Sequence, residues 1–195
     1  MSDVVIAALR SAQDSLSLLL ENEQKLNSIS AAGARIAEAF RSGYRVFSCG
    51  NGGSLCDAMH FAEECSGRFR KDRPPLPALA IADASHISCT ANDFGWTDVF
   101  SRFLAAHGRS GDVLVAISTS GGSKNVLAAA REARIHGMSI IALTGKENSE
   151  LGSLADFEVC TPGGDYSDRV QELHIKVLHI FVEIVERALF PELYR

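Results

Sequence analysis

The hydrophobic residues of this chain follow a helical period at first and then form short continuous runs. In the first helical segment the apolar residues share one broad face: Val5, Ala8, Leu9, Ala12, Leu16, Leu19 and Leu20. Ser2 or Asp3 is the expected N-cap, and a second helical pattern runs from about Ser30 to Arg41. Because Leu18–Leu20 widen the face beyond what one partner would cover, we expect residues 1–42 to form a helical arm that packs on the domain and on neighbouring subunits.

Beyond Gly43, short apolar runs alternate with helical patterns. The expected strands are Tyr44–Cys49, Ala78–Ala82, Asp112–Ser118, Met138–Thr144 and Phe157–Cys160. Short continuous strands separated by helices favour parallel pairing with both faces of the sheet buried. Residues 43–195 are therefore predicted to form an α/β fold, a three-layer αβα sandwich of the doubly wound, flavodoxin- or Rossmann-like type with about five parallel strands.

Two Gly/Ser-rich segments each follow an expected strand and open a helix: CGNGGS at 49–54 and STSGGS at 118–123. Glycines let a backbone approach a ligand closely, and a helix N-terminus presents free amides. The hydroxyls of the second loop suit a phosphate monoester, whose terminal oxygens all need partners. One such loop alone is explained as well by a tight, capped turn, but two at one sheet edge favour a binding crevice. Neither matches GxGxxG or a P-loop, so no nucleotide cofactor is expected.

The helix after the first loop carries His60 and Glu64, which are four residues apart and therefore share one face. Such a pair is more often a surface pair than a site, although this one begins at a proposed ligand loop. Glu63 points about 100° away and is expected in solvent or in a salt bridge.

A last helix is expected over about Asp168 to Leu189. Its predicted apolar stripe consists of Val170, Leu173, Val177, Phe181, Ile184 and Ala188. Gln171 and His179 lie two turns apart and can line one groove, whereas His174 is nearer the stripe and is expected to be a packed histidine. Asp93, within Ala91–Gly95, is either a ligand of sugar hydroxyls or part of an ordinary Asn-Asp turn.

Composition narrows the classes of function. With 195 residues and a net charge of -5, the chain offers no broad basic surface for a nucleic acid. The five scattered cysteines suit reduced thiols better than disulfides. No signal peptide and no apolar stretch of about 20 residues is evident, so we expect a cytoplasmic protein without membrane contact.

Several segments together resemble the bacterial phosphoheptose isomerases of the sugar-isomerase (SIS) domain superfamily. They are SCGNGGSLCDAMHFAEECSGRF, HISCTANDFGWTDVFSRF, ISTSGGSKNV, ALTGKE and DRVQELHIKVLHI. The resemblance covers nearly the whole chain, and the combination of HFAEE with QELH…H is more specific than the two loops. It implies conversion of sedoheptulose 7-phosphate to D-glycero-D-manno-heptose 7-phosphate for heptose and lipopolysaccharide core precursors. It also implies a homotetramer with active sites between subunits.

The resemblance assigns roles to individual residues. Glu64 would be the catalytic base and His179 the acid. The implied substrate contacts are Asn51, Gly52, Gly53, Glu64, Asn92, Asp93, Ser118, Thr119, Ser120, Ser123, Asp168 and Gln171, of which the hydroxyl residues form the phosphate cradle. The implied zinc ligands are His60, Glu64, Gln171 and His179. The chain departs from the enterobacterial pattern at Leu55, where that pattern has His, and at Gly122, where it has Asn.

Two rival functions use the same loops. A non-catalytic SIS protein, such as a DnaA-binding replication regulator, needs no Glu64 and His179 pair, and the presence of both favours an enzyme. A SIS-domain sensor that controls transcription would need a DNA-binding module, and none is evident in this sequence.

Overall fold

The computed structural model describes residues 2–195 and contains eight α-helices and five strands within them. The helices are α1 Ser2–Leu20, α2 Glu23–Arg41, α3 Gly53–Ser66, α4 Ala84–Asp93, α5 Ser101–His107, α6 Lys124–Ile135, α7 Glu150–Leu154 and α8 Ser167–Leu189. The strands are β1 Val46–Cys49, β2 Ala78–Ala80, β3 Val113–Ser118, β4 Ser139–Thr144 and β5 Phe157–Cys160. Single 3₁₀ turns lie at Trp96–Asp98 and Pro191–Tyr194.

All five strands pair in parallel in one sheet, in the order β2-β1-β3-β4-β5. In the centre, Val46 pairs with Val113, and Val113 pairs in turn with Ser139. Every residue of β1 and β3 is buried, as expected for strands covered on both faces. The predicted parallel αβα sandwich is therefore confirmed, although β2 is shorter than its apolar run.

Two hydrophobic cores cover the two faces of the sheet. One contains Ile36 of α2, Phe61 of α3 and Phe181 of α8. The other contains Leu104 of α5 and Val126 of α6. The first core brings α3 and α8 side by side, and these are the helices that carry the predicted histidines and carboxylates.

Two local predictions were wrong. Helix α2 begins at Glu23 and not near Ser30, because the side chain of Asn22 caps it by accepting a hydrogen bond from the Lys25 amide at 3.0 Å. The Asn-Asp turn at 92–93 is instead the last turn of α4.

The stripe of α8 was predicted correctly for its first four positions, from Val170 to Phe181. Val170, Leu173 and Val177 are buried, but Ala188 is exposed and Glu186 is buried in its place. Ala188 follows Val170 by 18 residues, about five full turns, so both lie on the same side of α8. The end of the helix differs because Glu186 is buried in an ion pair with Arg73.

Helix α1 leaves most of its apolar face uncovered. Leu19 is buried where α1 meets α2 and α8, but Val5 and Leu9 are 58% and 67% exposed. Helix α2, by contrast, packs along α8 and belongs to the first core. The division of the chain at residue 42 remains a prediction.

Composition also led to expectations about the state of the cysteines and about membrane contact. All five cysteines are free thiols, and Cys49, Cys65 and Cys160 among them are buried. Within residues 2–195, no helix is both long enough and apolar enough to cross a bilayer.

His174 is a packed residue, as its position near the apolar stripe predicted. It is fully buried, and its Nε2 lies 3.0 Å from the carbonyl oxygen of Thr144 at the end of β4. Burial lowers the pKa of the imidazole from 6.5 to about 4, although the bond to Thr144 opposes that shift. The folded protein therefore holds His174 neutral.

Acid should destabilise the fold through His174. The unfolded chain binds a proton there below about pH 6.5, whereas the folded chain resists protonation until about pH 4, so stability present above pH 6.5 is lost on acidification. Between pH 7 and pH 5 the free energy of unfolding should fall by about 2 kcal/mol for this reason. Denaturant unfolding of His174→Gln should show a shallower pH dependence than the parent chain, and His107→Gln, at an exposed histidine, should not. Equal slopes in all three proteins would contradict this assignment.

Candidate active site

The first Gly/Ser loop joins β1 to α3 at the carboxyl edge of the sheet. Gly52 has φ +55° and ψ −123°, a backbone conformation that residues with a Cβ rarely adopt. Gly53 is required for a different reason, because a Cβ there would lie 2.7 Å from Oε1 of Gln171 on α8. The glycines therefore set the shape of the loop and let α8 approach it.

The second loop gathers hydroxyl groups at the start of α6. The Ser118 hydroxyl donates to that of Ser123 at 3.0 Å, and the hydroxyl of Ser120 lies 3.5 Å from that of Ser118. Ser123 occupies the N-cap position but makes no side-chain cap to α6. A helix N-terminus carries a partial positive charge, so hydroxyls and amides together can receive a phosphate dianion.

An amide pair that the sequence analysis missed links the two loops. Asn51 donates to Oδ1 of Asn125 at 2.9 Å, and Asn125 donates back to Oδ1 of Asn51 at 2.8 Å. Asn125 is buried in the first turn of α6, where its Oδ1 also accepts from the Val126 amide. Its position directly after the hydroxyl loop was the only available signal, since the pairing spans 74 residues.

A cavity of about 340 Å³ lies between the two loops and the start of α8. Its lining comprises Asn51, Gly52, Gly53, Ser54, Ile117, Ser118, Thr119, Ser123, Ser167 and Gln171. A second hollow, of about 180 Å³, adjoins it and shares Thr119 and Ser167. The volume of the first suits a small metabolite, and both loops contribute to its wall, as two loops at one sheet edge predicted.

His60, Glu64 and His179 form a cluster where α3 meets α8. Glu64 Oε1 lies 3.3 Å from Nε2 of His60, and Glu64 Oε2 lies 3.7 Å from Nε2 of His179. The two imidazole rings meet edge to face at 5.1 Å between centroids. Glu63 is exposed beside His60, as predicted. The structure thus brings His179 of α8 to His60 and Glu64 of α3. The i,i+4 spacing predicted only the pair on α3.

The cluster is partly withdrawn from water. The Glu64 side chain is 13% exposed, and both Glu64 Oε2 and His179 Nε2 are buried without a hydrogen-bond partner among residues 2–195. Burial lowers the pKa of His179, and the Glu64 carboxylate opposes that shift. Buried polar atoms normally have partners, so this pair can accept one from outside the chain, such as a proton, a substrate oxygen or a cation.

The three side chains also fit a metal ion. One ligand atom from each of His60, Glu64 and His179 lies within 4.8 Å of the others. Imidazole and carboxylate are common zinc ligands, and the two unpartnered atoms supply the lone pairs that a cation needs.

Gln171 and Asp168 occupy the beginning of α8. The Gln171 amide donates to the Ser54 hydroxyl at 3.4 Å, so it lies at the first loop and two turns from His179. Its role as a fourth metal ligand stays a prediction. Asp168 is exposed beside Arg169, at 3.9 Å.

Asn92 and Asp93 are not brought to the cavity within this chain. Both are exposed at the end of α4, where Asn92 donates to Asp93 at 2.7 Å.

The chain departs from the enterobacterial pattern at Leu55 and Gly122, and the two positions have different surroundings. Leu55 is half-buried in the first turn of α3. Gly122 is exposed, and a Cβ there would meet only the Ser120 hydroxyl at 3.9 Å. Gly122 is therefore not required by space, and a larger residue fits there.

The parallel sheet, the paired hydroxyl and glycine loops and the acid–base cluster together define a SIS-domain protein of the sugar-isomerase class. A family model described as the SIS domain matches residues 9–145. A phosphoheptose isomerase of Yersinia enterocolitica is 49% identical over 187 residues, which is 96% of this chain and 97% of that protein.

Solved structures agree with the sequence comparison. A phosphoheptose isomerase from Francisella tularensis superposes with a TM-score of 0.89 at 31% identity, covering 95% of this chain and 97% of that one. The corresponding protein from Neisseria gonorrhoeae gives a TM-score of 0.82 at 32% identity, covering 95% and 96%. The chain belongs to the phosphoheptose isomerase family. It is thus an enzyme, an aldose–ketose isomerase, and not the non-catalytic SIS protein considered as its rival.

Proposed function

We propose that this chain works in the cytoplasm and converts sedoheptulose 7-phosphate to D-glycero-D-manno-heptose 7-phosphate, supplying heptose precursors of the lipopolysaccharide core. The observation that carries the proposal is the buried, unpartnered atom pair of Glu64 and His179, on helices that flank the loop cavity. The names of the relatives support the class of substrate.

The phosphate is proposed to bind in the second loop. Ser118, Thr119, Ser120 and Ser123 supply its hydroxyl donors. The sugar chain then lies along the first loop, where Asn51, Gly52, Gly53 and Gln171 face the cavity. Asp168, Asn92 and Asp93 are proposed as further sugar contacts.

Isomerisation needs a base that removes the C1 proton of the ketose and an acid that protonates the C2 carbonyl oxygen. In our proposal Glu64 accepts the C1 proton while His179 donates to the oxygen, which gives a cis-enediol. The same Glu64 returns the proton to C2, and His179 recovers a proton as the C1 carbonyl forms. Burial lowers the pKa of His179, and the Glu64 carboxylate opposes that shift. An imidazole can both donate and accept a proton, so His179 can serve in both directions.

Replacing Glu64 by Gln should abolish turnover without abolishing binding. The amide keeps the shape of the side chain but cannot accept the proton, so kcat should fall by on the order of a hundredfold to ten-thousandfold. Conversion of sedoheptulose 7-phosphate is followed by NMR, and sugar-phosphate binding by calorimetry. Glu63→Gln, at the exposed neighbouring carboxylate, is the matched control and should remain active. Full activity of a well-folded Glu64→Gln variant would falsify the base assignment.

We further propose that the resident metal is zinc, held by His60, Glu64, Gln171 and His179. When bound, zinc supplies a Lewis acid that can polarise a carbonyl oxygen. Ligation competes with proton transfer, because a lone pair on a metal cannot also accept a proton. Glu64 has two carboxylate oxygens directed at different histidines, so one oxygen can ligate while the other accepts the proton. His179 presents Nε2 to the cluster, so the acid role proposed for it applies only while that atom is not on the metal.

Elemental analysis tests the zinc site independently of activity. The purified chain should carry about one zinc per subunit, and His60→Ala should lower that content strongly because three ligands hold zinc less well than four. His107→Ala, at an exposed histidine, should leave it unchanged. Unchanged zinc in His60→Ala would overturn the ligand set, and full activity after complete removal by a chelator would reduce zinc to an incidental ligand.

We also propose a homotetramer with active sites between subunits. The apolar stripe left open on α1, with Val5 and Leu9 exposed, supports a second copy as the partner. The exposed Asn92 and Asp93 are available to a neighbouring subunit.

A charge on the stripe of α1 should break the assembly. Leu9→Glu should yield species smaller than the parent tetramer in analytical ultracentrifugation, because a charge is costly to bury in an apolar interface. Ser11→Glu, two residues on and so roughly on the opposite side of the helix, should leave the tetramer intact. A parent chain that sediments as a monomer would contradict the assembly, and an unchanged Leu9→Glu tetramer would contradict the role of α1.

A further inference from the structure

A buried ion pair lies behind the helix turn that carries Glu64. The side chains of Arg73 and Glu186 are 1% and 0% exposed, and Arg73 Nε lies 3.0 Å from Glu186 Oε1. Arg73 comes from the loop after α3, and Glu186 from the last turns of α8. A buried charge pair is costly unless its remaining donors and acceptors are also satisfied.

The remaining donors of Arg73 bind the backbone of the site helix. Its Nη2 donates to the carbonyl oxygen of Glu64 at 2.6 Å, and its Nη1 donates to that of Cys65 at 2.5 Å. Helix α3 ends at Ser66, so both carbonyls belong to its last turn and lack the usual intrahelical partners. The Cys65 carbonyl also accepts from the Leu76 amide at 3.0 Å, whereas the Glu64 carbonyl is bonded by Arg73. Arg73 therefore helps to fix the last turn of α3, in which Glu64 lies.

The second oxygen of Glu186 is satisfied from the C-terminus of the chain. Tyr194, in the 3₁₀ turn Pro191–Tyr194, donates its hydroxyl to Glu186 Oε2 at 2.6 Å. The Lys71 ammonium donates to the carbonyl of Leu193 in the same turn. An unbroken chain of hydrogen bonds thus runs from Tyr194 through Glu186 and Arg73 to the backbone of Glu64.

The same chain of hydrogen bonds also links the position of Glu64 to that of His179. Glu186 follows His179 by seven residues, about two turns along α8. Because Arg73 joins Glu186 to the Glu64 turn, the distance between base and acid is fixed from one side by this ion pair.

We propose that Arg73, Glu186 and Tyr194 are positioning residues for catalysis, and that together they hold Glu64 at its working distance from His179. The proposal rests on the proposed function through the role of Glu64. None of the three touches the reacting atoms. Their contribution should therefore appear in kcat and in the rigidity of one helix turn, with substrate affinity little changed.

Two conservative variants test the proposal. Arg73→Lys keeps the charge opposite Glu186 but loses the planar fork that reaches two carbonyls, and Tyr194→Phe removes one hydroxyl. In both, hydrogen exchange of the amides in the last turn of α3 should accelerate more than exchange elsewhere. With sedoheptulose 7-phosphate, kcat should fall about tenfold or more for Arg73→Lys and less for Tyr194→Phe, with KM within about twofold, since small misplacements of a reacting group cost rate steeply. Tyr44→Phe, at the amino edge of the sheet, is the matched control and should change neither.

The outcomes separate this proposal from the function on which it rests. Unchanged exchange at the end of α3 in both variants would overturn the clamp, and so would uniformly faster exchange through the whole chain. Local loosening with an unchanged kcat would overturn the positioning role. A parent enzyme that fails to turn over sedoheptulose 7-phosphate would overturn the proposed function, while the exchange pattern would still decide whether the clamp exists.

Discussion

The close packing of α3 along α8 is the contact on which the rest of the site depends. At its beginning, Gln171 reaches the first loop because Gly53 has no side chain. Further along, Glu64 meets His179. At its end, Arg73 joins the last turn of α3 to Glu186. Between these points the two helices pack through buried apolar side chains. This close packing fixes the positions of the polar groups relative to one another.

The sheet and the loops could be predicted because their signals are local. Each strand is a short apolar run, and each loop is a cluster of small residues between a strand and a helix. His60 and Glu64 could be paired from helical spacing alone. The start of α2 was misplaced because one capping residue, Asn22, outweighed a weak apolar pattern.

Other features lay beyond sequence reasoning because they depend on contacts between distant residues. Arg73 and Glu186 are 113 positions apart. In addition, a charged residue in an amphipathic helix is normally expected on the solvent-exposed face. The partner of Asn51 could not be named either, since any polar residue near the second loop would have served equally well. Periodicity predicts which face of a helix is apolar, but it does not predict which polar residue is buried there with a partner.

The amide pair between Asn51 and Asn125 has a consequence for what the cavity can recognise. An asparagine side chain offers two N–H groups and two lone pairs on its oxygen. The reciprocal bonds use one of each on Asn51, so a single N–H and a single lone pair remain for a ligand. Two neighbouring hydroxyls on a sugar, one accepting and one donating, match that remainder in number and in sense. A diol bound at this loop would therefore meet only the free half of the Asn51 amide, while the other half joins the first loop to the second.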